Sequence, residues 1–573
     1  MNEKYQWNFT DIYESDEVFL NALQEFKTEI DQVDFSSLNL EDKLTKYYEL
    51  ALIGERLLTY AELKSDLDVS NETYLQYKNQ VYSEKSKLDP MKNEINKEIL
   101  RIDQPLDEYM KEHPEALPFY MHFYNIYRLK EHVSNSKVVT NENQLIQKVN
   151  NLYNTIMNVE MPCESIELDG KETRITRSIY NKYIMNQDRS IRESVFKAFM
   201  KSLGNVNKSI SSLFLLRYQM CYDVAKELGY HSILEQVITE DDLDMKIIDD
   251  LIASVHDHLP LLHQYIELKK EKMGMDEIHY YDLNINHDYN PRYSFDEAVE
   301  IVKEALKGMG EEYQKLLNQV LDGGMLDVFP SEHKFNGGYH FRNYIKPMIL
   351  MNYRGNFREV PTIGHELGHA VNGLLTKANQ NYQDFHFSLF LSEIASTVNE
   401  EQVEKYLYEK AKEEDKIVHL EQIIDKTIAS IFSQTLFLEL QKELCTKIEH
   451  GESLTSNTIN QTYLALLQKY YQGLILDEDI KYLWQTKIHL FYGSYRYYNF
   501  QYATGKIASL VINKHVQEGK LDDYLKFLTI GGSKPTLEAL SQAGVDLTKR
   551  EVYDDAMNYL GQLLDEYKVL IKK

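Results

Sequence analysis

Apolar positions along this chain recur with the period of an α-helix from one end to the other. Over residues 242–273 and 388–412 they fall at i, i+3, i+4 and i+7 with charged residues between, which predicts amphipathic helices. A chain of 573 residues exceeds the size at which one core stops growing, so two or more lobes are expected. Only 11 prolines interrupt the chain and no Pro/Gly/Ser-rich linker divides it, so the lobes are expected to be knitted into one body. No repeat of fixed period and no low-complexity tract is visible.

Two segments break the helical pattern. Residues 165–175 alternate around Asp169-Gly170, which predicts a tight hairpin. Residues 336–353 open with Gly337-Gly338 and end in the apolar run Met348-Ile349-Leu350-Met351. Pro347 cannot donate to a ladder, so residues 344–353 read as an edge strand available to an extended peptide.

Composition narrows the function class. The 43% apolar and 27% charged fractions are those of an ordinary soluble globular protein. A formal net charge of -27 repels phosphate backbones and anionic membranes, and Lys269-Lys270 and Lys272 alternate with Glu267 and Glu271, so no basic patch forms. Cys163, Cys221 and Cys445 lie far apart and form no CxxC pair, which excludes a cysteine metal site and disfavours a disulfide framework. The N-terminal stretch MNEKYQWNFTDIYESDEVF has no basic region followed by an apolar one, and no run of 18 apolar residues occurs. No signal peptide and no membrane partner are therefore expected, and the cytoplasm is the expected compartment.

The chemistry concentrates in Pro361-Thr362-Ile363-Gly364-His365-Glu366-Leu367-Gly368-His369, an HExxH pattern. On a helix, i and i+4 share a face, so His365 and His369 can reach one ion, while Glu366 points beside them at a metal-bound water. Pro361 suits the first helical turn. Gly364 and Gly368 each cost about 1 kcal/mol relative to alanine in a helix, which implies a close approach by backbone or substrate. A catalytic zinc needs a third protein ligand. Spacing leaves Glu393, Glu400 and Glu401 open for that place.

The string resembles oligoendopeptidase F, of the thimet-oligopeptidase-like zinc metallopeptidases. His365-Glu366-Leu367-Gly368-His369 matches that family's zinc helix, and Glu393-Ile394-Ala395-Ser396-Thr397 its segment carrying the third ligand. The resemblance implies one zinc ion per chain on His365, His369 and Glu393. Asn372 stands where many members have a further, non-ligand histidine. Glu400, two turns beyond Glu393, is a candidate acceptor for the other ring nitrogen of a ligand histidine. Ile278-His279-Tyr280-Tyr281-Asp282-Leu283, Gly337-Gly338-Tyr339, Leu350-Met351-Asn352-Tyr353, Gln501-Tyr502-Ala503-Thr504-Gly505 and Gly531-Gly532-Ser533-Lys534-Pro535 also look like family landmarks. The last lacks the GxxxxGK[ST] phosphate pattern and reads as a turn before a helix begun by Pro535.

Oxyanion stabilisation calls for a second donor beside the metal. The strip His489 to Tyr502 is dense in tyrosine, and in the family such a strip faces the zinc. His489 carries over as a substrate-binding histidine. Tyr498 is the first candidate donor and Tyr495 the second, with Tyr497 left open by the register. Gly337, Gly338, Tyr339 and Tyr502 are the expected substrate-binding residues, the glycines letting their turn close over a peptide.

The resemblance thus implies a mainly α, bilobal helical body enclosing a deep substrate channel, with a small β element beside the zinc helix. Residues 1–180 are expected to form an N-terminal helical region and 181–573 the catalytic region. The expected activity is internal cleavage of short unstructured oligopeptides with Glu366 as general base. A helical zinc carboxypeptidase is the nearest rival; it needs a basic residue for the terminal carboxylate, such as Arg342, Arg354 or Arg496. A non-catalytic peptide scaffold is the rival from another class, and Glu366 argues against it, since binding needs no general base.

Overall fold

The computed structural model describes residues 3–132, 136–283, 285, 289–492 and 496–572, with the backbone alone of 136–144. The protein is mainly α-helical. In chain order the elements used below begin with α1 (Leu40–Leu67), β1 (Ser165–Leu168), β2 (Lys171–Arg174), α2 (Arg189–Glu227), α3 (Met245–Asp257) and α4 (Leu259–Met273). They continue with β3 (Leu326–Asp327), β4 (Tyr339–Phe341), β5 (Met348–Leu350), α5 (Val360–Asn379), α6 (Leu389–Lys410), α7 (Asn499–Gln517), α8 (Leu521–Ile530) and α9 (Thr536–Ser541). Among the described residues no helix is long and apolar enough to cross a membrane.

Contacts divide the chain into two compact units that are discontinuous in sequence. The first comprises Met1–Lys130, Pro291–Leu407 and Ile512–Val545; the second comprises Glu131–Asn290, Tyr408–Val511 and Asp546–Lys573. Residue 180 lies inside the second unit, so division by contact differs from division by motif.

In the second unit the hairpin forms as its sequence dictates. β1 and β2 pair antiparallel with Leu168 opposite Lys171, and Asp169 (φ 52°) and Gly170 (φ 73°) both take the left-handed conformations that a two-residue turn requires. The helical pattern of residues 242–273 is split in two at His258. Pro260 sits in the first turn of α4 and has no N–H for the preceding turn, so one helix cannot run through. Asp282 of the Ile278–Leu283 segment is fully buried and accepts from Arg192 of α2 at 2.6 Å.

The first unit contains a three-stranded sheet of order β3-β5-β4. β4 pairs antiparallel with β5, placing His340 opposite Ile349, while β3 runs parallel to β5. This corrects the expected edge strand. β5 is the central strand, its Ile349 and the following Met351 donating at 2.8 Å to the Met325 and Asp327 carbonyls, respectively. Pro347 is tolerated because it stands just before the ladder begins. The outer strand toward the Gly337-Gly338 turn is β4.

α5 packs against this sheet and α8, and its Gly364 and Gly368 lie against α6. Ile363, Leu367, Ala370 and Val371 are buried on it, as are Ile394, Ala395 and Val398 on α6. Each large aliphatic side chain contributes roughly 1.5–3 kcal/mol when buried. The C-terminal half of α5 is anchored to α8: Asn372 Nδ2 and Thr376 Oγ1 donate to the Leu528 carbonyl at 3.0 and 3.1 Å. Asn372 therefore has a structural task. The Gly531-Gly532 cluster is the expected turn, between α8 and α9, and Gly532 N–H donates to the Asp384 carbonyl at 2.7 Å.

Gly531 has φ 57°, and a Cβ there would lie 2.5 Å from Thr376 Cγ2 and 2.6 Å from the Asp384 carbonyl oxygen. Gly531→Ala is therefore predicted to destabilise the first unit by roughly 2 kcal/mol or more. Thermal unfolding checks it, and an unmoved transition would refute the tight turn.

Candidate metal centre

The HExxH segment lies in α5, entered through a capped turn. Asn356 and Glu359 form a capping box, with Asn356 Oδ1 accepting from Arg358 N–H at 2.9 Å and Glu359 returning to Asn356 N–H at 2.9 Å. Pro361 occupies the first turn, where no N–H is needed. α6 begins at Ser388, whose Oγ accepts from Leu391 N–H at 3.4 Å, so Glu393 projects from its second turn.

His365, His369 and Glu393 offer one ligand atom each, all within 4.8 Å of one another. Glu393 lies 3.5 Å from His365 Nε2 and 3.8 Å from His369 Nε2. The other ring nitrogens are addressed separately: His369 Nδ1 is 3.0 Å from Ser392 Oγ, and His365 Nδ1 is 3.4 Å from Glu400. Both rings thus turn Nε2 toward the Glu393 carboxylate, a donor set that fits a divalent cation. Glu401 points elsewhere, accepting from Asn513 Nδ2 at 2.8 Å. The geometry selects Glu393 from the three glutamates that spacing left open.

Glu366 is buried, and its Oε2 has no hydrogen-bond partner. Burial pushes its carboxyl up to about 7; His365 opposes this and Glu393 and Glu400 add to it. For His365, burial disfavours the charged ring, but Glu400, Glu366 and Glu393 overcome that and raise it to about 9. Burial lowers His369 well below the ordinary range, and the charges of His365, His340 and Arg342 reinforce the shift. A cation at the three ligand atoms would relieve the surplus of carboxylates.

The two glycines owe their place to α6. A Cβ on Gly364 would meet Val403 Cγ2 at 2.8 Å, and one on Gly368 would meet Ser396 Cα at 2.9 Å. Asn399 closes the seam, donating to the Gly364 carbonyl at 3.3 Å and accepting from Tyr313 OH at 2.9 Å.

Several residues here escaped sequence reasoning. Ser392 and Asn399 belong to the stripe 392, 396, 399 and 403 of α6; the need of His369 for a partner on its other ring nitrogen is the signal that points to Ser392, and no local signal points to Asn399. His340 of β4 stacks on His369 with centroids 5.6 Å apart. Tyr339 is held by a hydrogen bond to Asp66, and a Cβ on Gly337 would meet Phe335 Cε1 at 2.8 Å.

The tyrosine strip belongs to the second unit. His489 stacks on Tyr498 (centroids 5.8 Å, 14°), and its Nε2 is 3.3 Å from Tyr502 OH. Burial lowers His489 to about 4, and Lys487 adds to this. Tyr497 is a core residue, 1% exposed, with φ 55° in the left-handed region. Tyr495 lies outside the described residues.

Residues 182–559 match the family model described as Peptidase family M3. The chain belongs to Peptidase family M3. It is therefore a peptidase. Among its full-length relatives, oligopeptidase PepF of Bacillus subtilis (strain 168) is 29% identical, the match covering 99% of this chain and 87% of that protein. An oligoendopeptidase F homolog of Borreliella burgdorferi is 27% identical over 100% and 99% of the two chains. The solved oligoendopeptidase-F of Enterococcus faecium superimposes with a TM-score of 0.72 at 25% identity, covering 98% of this chain and 99% of that one. These likenesses agree with the resemblance carried by the motifs and with a mainly α M3 fold.

Gly368→Ala is predicted to force α5 and α6 apart, destabilising by roughly 1–3 kcal/mol and lowering peptidase activity. Gly373→Ala on the same helix meets nothing within 4 Å and should be neutral or up to about 1 kcal/mol stabilising. Thermal unfolding of the pair checks this, and equal effects would show that the seam is not the constraint.

Proposed function

We propose that this chain is a zinc-dependent endopeptidase that hydrolyses internal bonds of short unstructured oligopeptides. The observation that carries the reading is the convergence of His365, His369 and Glu393 within 4.8 Å beside the buried, unpartnered carboxylate oxygen of Glu366. His365, His369 and Glu393 would hold one zinc ion per chain. When bound, the ion supplies Lewis acidity toward water and a peptide carbonyl. The oligopeptide substrate class follows the relatives, which are named oligopeptidase and oligoendopeptidase. Three free cysteines suit a reducing cytoplasm.

Glu366 is the proton carrier: it takes a proton from the attacking water and returns one to the leaving amine. The backbone N–H of His340 steadies its charged form. Ser392 and Glu400 hold the ligand rings in orientation, and a fixed ring orientation is what keeps both Nε2 atoms on one point. We assign the oxyanion donor to Tyr498, following the family resemblance of the strip, and its ring is clustered with those of His489 and Tyr502. Gly337, Gly338 and Tyr339 are assigned to the peptide, and the outer edge of β4 is the place where an extended chain can add hydrogen bonds.

Glu366→Gln should abolish hydrolysis while leaving zinc bound, and activity within tenfold of wild type would sink its role. Glu393→Ala should lose zinc on dialysis, whereas Glu401→Ala should keep it; metal content per chain decides between them.

Tyr498→Phe should lower kcat about 10²-fold with little change in KM, and Tyr502→Phe should do much less. The reverse order in steady-state kinetics would move the donor to Tyr502.

A further inference from the structure

We propose that Arg342 is a specificity-determining residue that receives a carboxylate of the peptide beside the metal group. The inference rests on the peptidase reading above and adds the substrate feature which that site selects. Arg342 follows β4 directly, two residues beyond His340, whose ring stacks on His369 of α5 at 5.6 Å. Of the three arginines that sequence put forward, Arg354 is exposed and Arg496 is engaged by Gln236 at 2.8 Å and Glu240 at 3.2 Å in the second unit. Of the three, Arg342 is the one whose charge acts on Glu393 and His369.

The guanidinium is only partly satisfied. Nη2 donates to the Phe387 carbonyl at 2.8 Å, and the Cζ atom lies 4.3 Å from the centre of the Phe387 ring. Nη1 is buried and has no acceptor among the described residues. No carboxylate among the described residues comes within ion-pair distance of Arg342. Glu55 of α1 is occupied by His386 Nε2 at 2.9 Å, Tyr382 OH at 2.8 Å and Tyr344 N–H at 2.5 Å. Glu393 faces the two ligand histidines.

A purely structural role would be to clamp Phe387, and with it the segment that leads into α6. That role uses Nη2 and the flat face of the guanidinium and leaves Nη1 without a purpose. A buried guanidinium lacking a counterion is costly, and its fork matches a carboxylate better than any other peptide group. The carboxylate has two sources: the C-terminus of the peptide, or an Asp or Glu side chain near the cleaved bond.

The zinc-loaded full chain is assayed on peptides of one length and one neutral core sequence. One arm is blocked at both ends. A second is blocked and carries Glu at each position flanking the cleaved bond in turn. A third has a free C-terminus at successively shorter distances from that bond. The expected result is a kcat/KM higher by roughly 10- to 100-fold for one position in the second or third arm. Arg342→Gln should reduce that preference to within about threefold of none, and Arg342→Lys should keep part of it. The preference is a ratio within each variant, so a loosened Phe387 segment would not move it. If Arg342→Gln fails to fold, the partial preference of Arg342→Lys decides. Cleavage of all arms at equal rates, or an unchanged preference in either variant, overturns this inference alone. Cleavage of no peptide by the wild-type chain overturns the peptidase reading and this inference with it.

Discussion

A Cβ on Gly368 would stand 2.9 Å from the Ser396 backbone, and one on Gly364 would stand 2.8 Å from Val403. α5 and α6 therefore meet at a separation that only hydrogen at those two positions permits. Of the three candidate ligands, two come from α5 and the third from α6, so that separation sets the distance between Glu393 and both histidines. A helix pair kept apart by alanine would leave Glu393 too far from the shared point. Asn399 fixes the rotation of the pair as well, because its amide spans the Gly364 carbonyl and Tyr313.

Other parts of the first unit serve to hold that seam still. The α8–α9 turn needs Gly531 and Gly532 because it rides against Thr376 and residues 384–386. Asn372 and Thr376 both reach the open carbonyl of Leu528. On the sheet side, β4 brings His340 onto His369, and Glu55 gathers His386, Tyr382 and the Tyr344 N–H at one carboxylate. The segment leading into α6 is thus gripped by Glu55 through His386 and by Arg342 through the Phe387 carbonyl.

Residue spacing made the helical character, the Asp169-Gly170 hairpin and the pairing of His365 with His369 legible, since each depends on neighbours in sequence. That Glu393 joins them was put forward only through the resemblance, because spacing treats it as it does Glu400 and Glu401. The edge-strand expectation failed for a definite reason. Pro347 excludes ladder hydrogen bonding at its own nitrogen and says nothing of the residues after it, and β5 begins at the next residue. Ser392, Asn399 and the His340 stack were hidden because they are set by the packing of α5 on distant elements. The break at His258 was the reverse case: Pro260 marked it locally, and the periodicity running through it concealed the mark.

The electrostatics of the centre give the argument its last step. Glu366, Glu393 and Glu400 crowd two histidines in a buried space, and protons satisfy such a group poorly. His365 takes one readily, which in turn helps drive His369 well below the range in which it takes a second. Glu366 is left with a carboxyl raised to about 7 and an oxygen that nothing addresses. A divalent ion of the kind proposed would place its charge between the two Nε2 atoms and Glu393 at once, lowering the Glu366 carboxyl by direct attraction. Glu400 and Ser392 would be untouched, since they already stand on the opposite nitrogens of the rings. The orientation of the three side chains is therefore built by the fold alone, and what the proposed ion would supply is the charge that the fold leaves uncompensated.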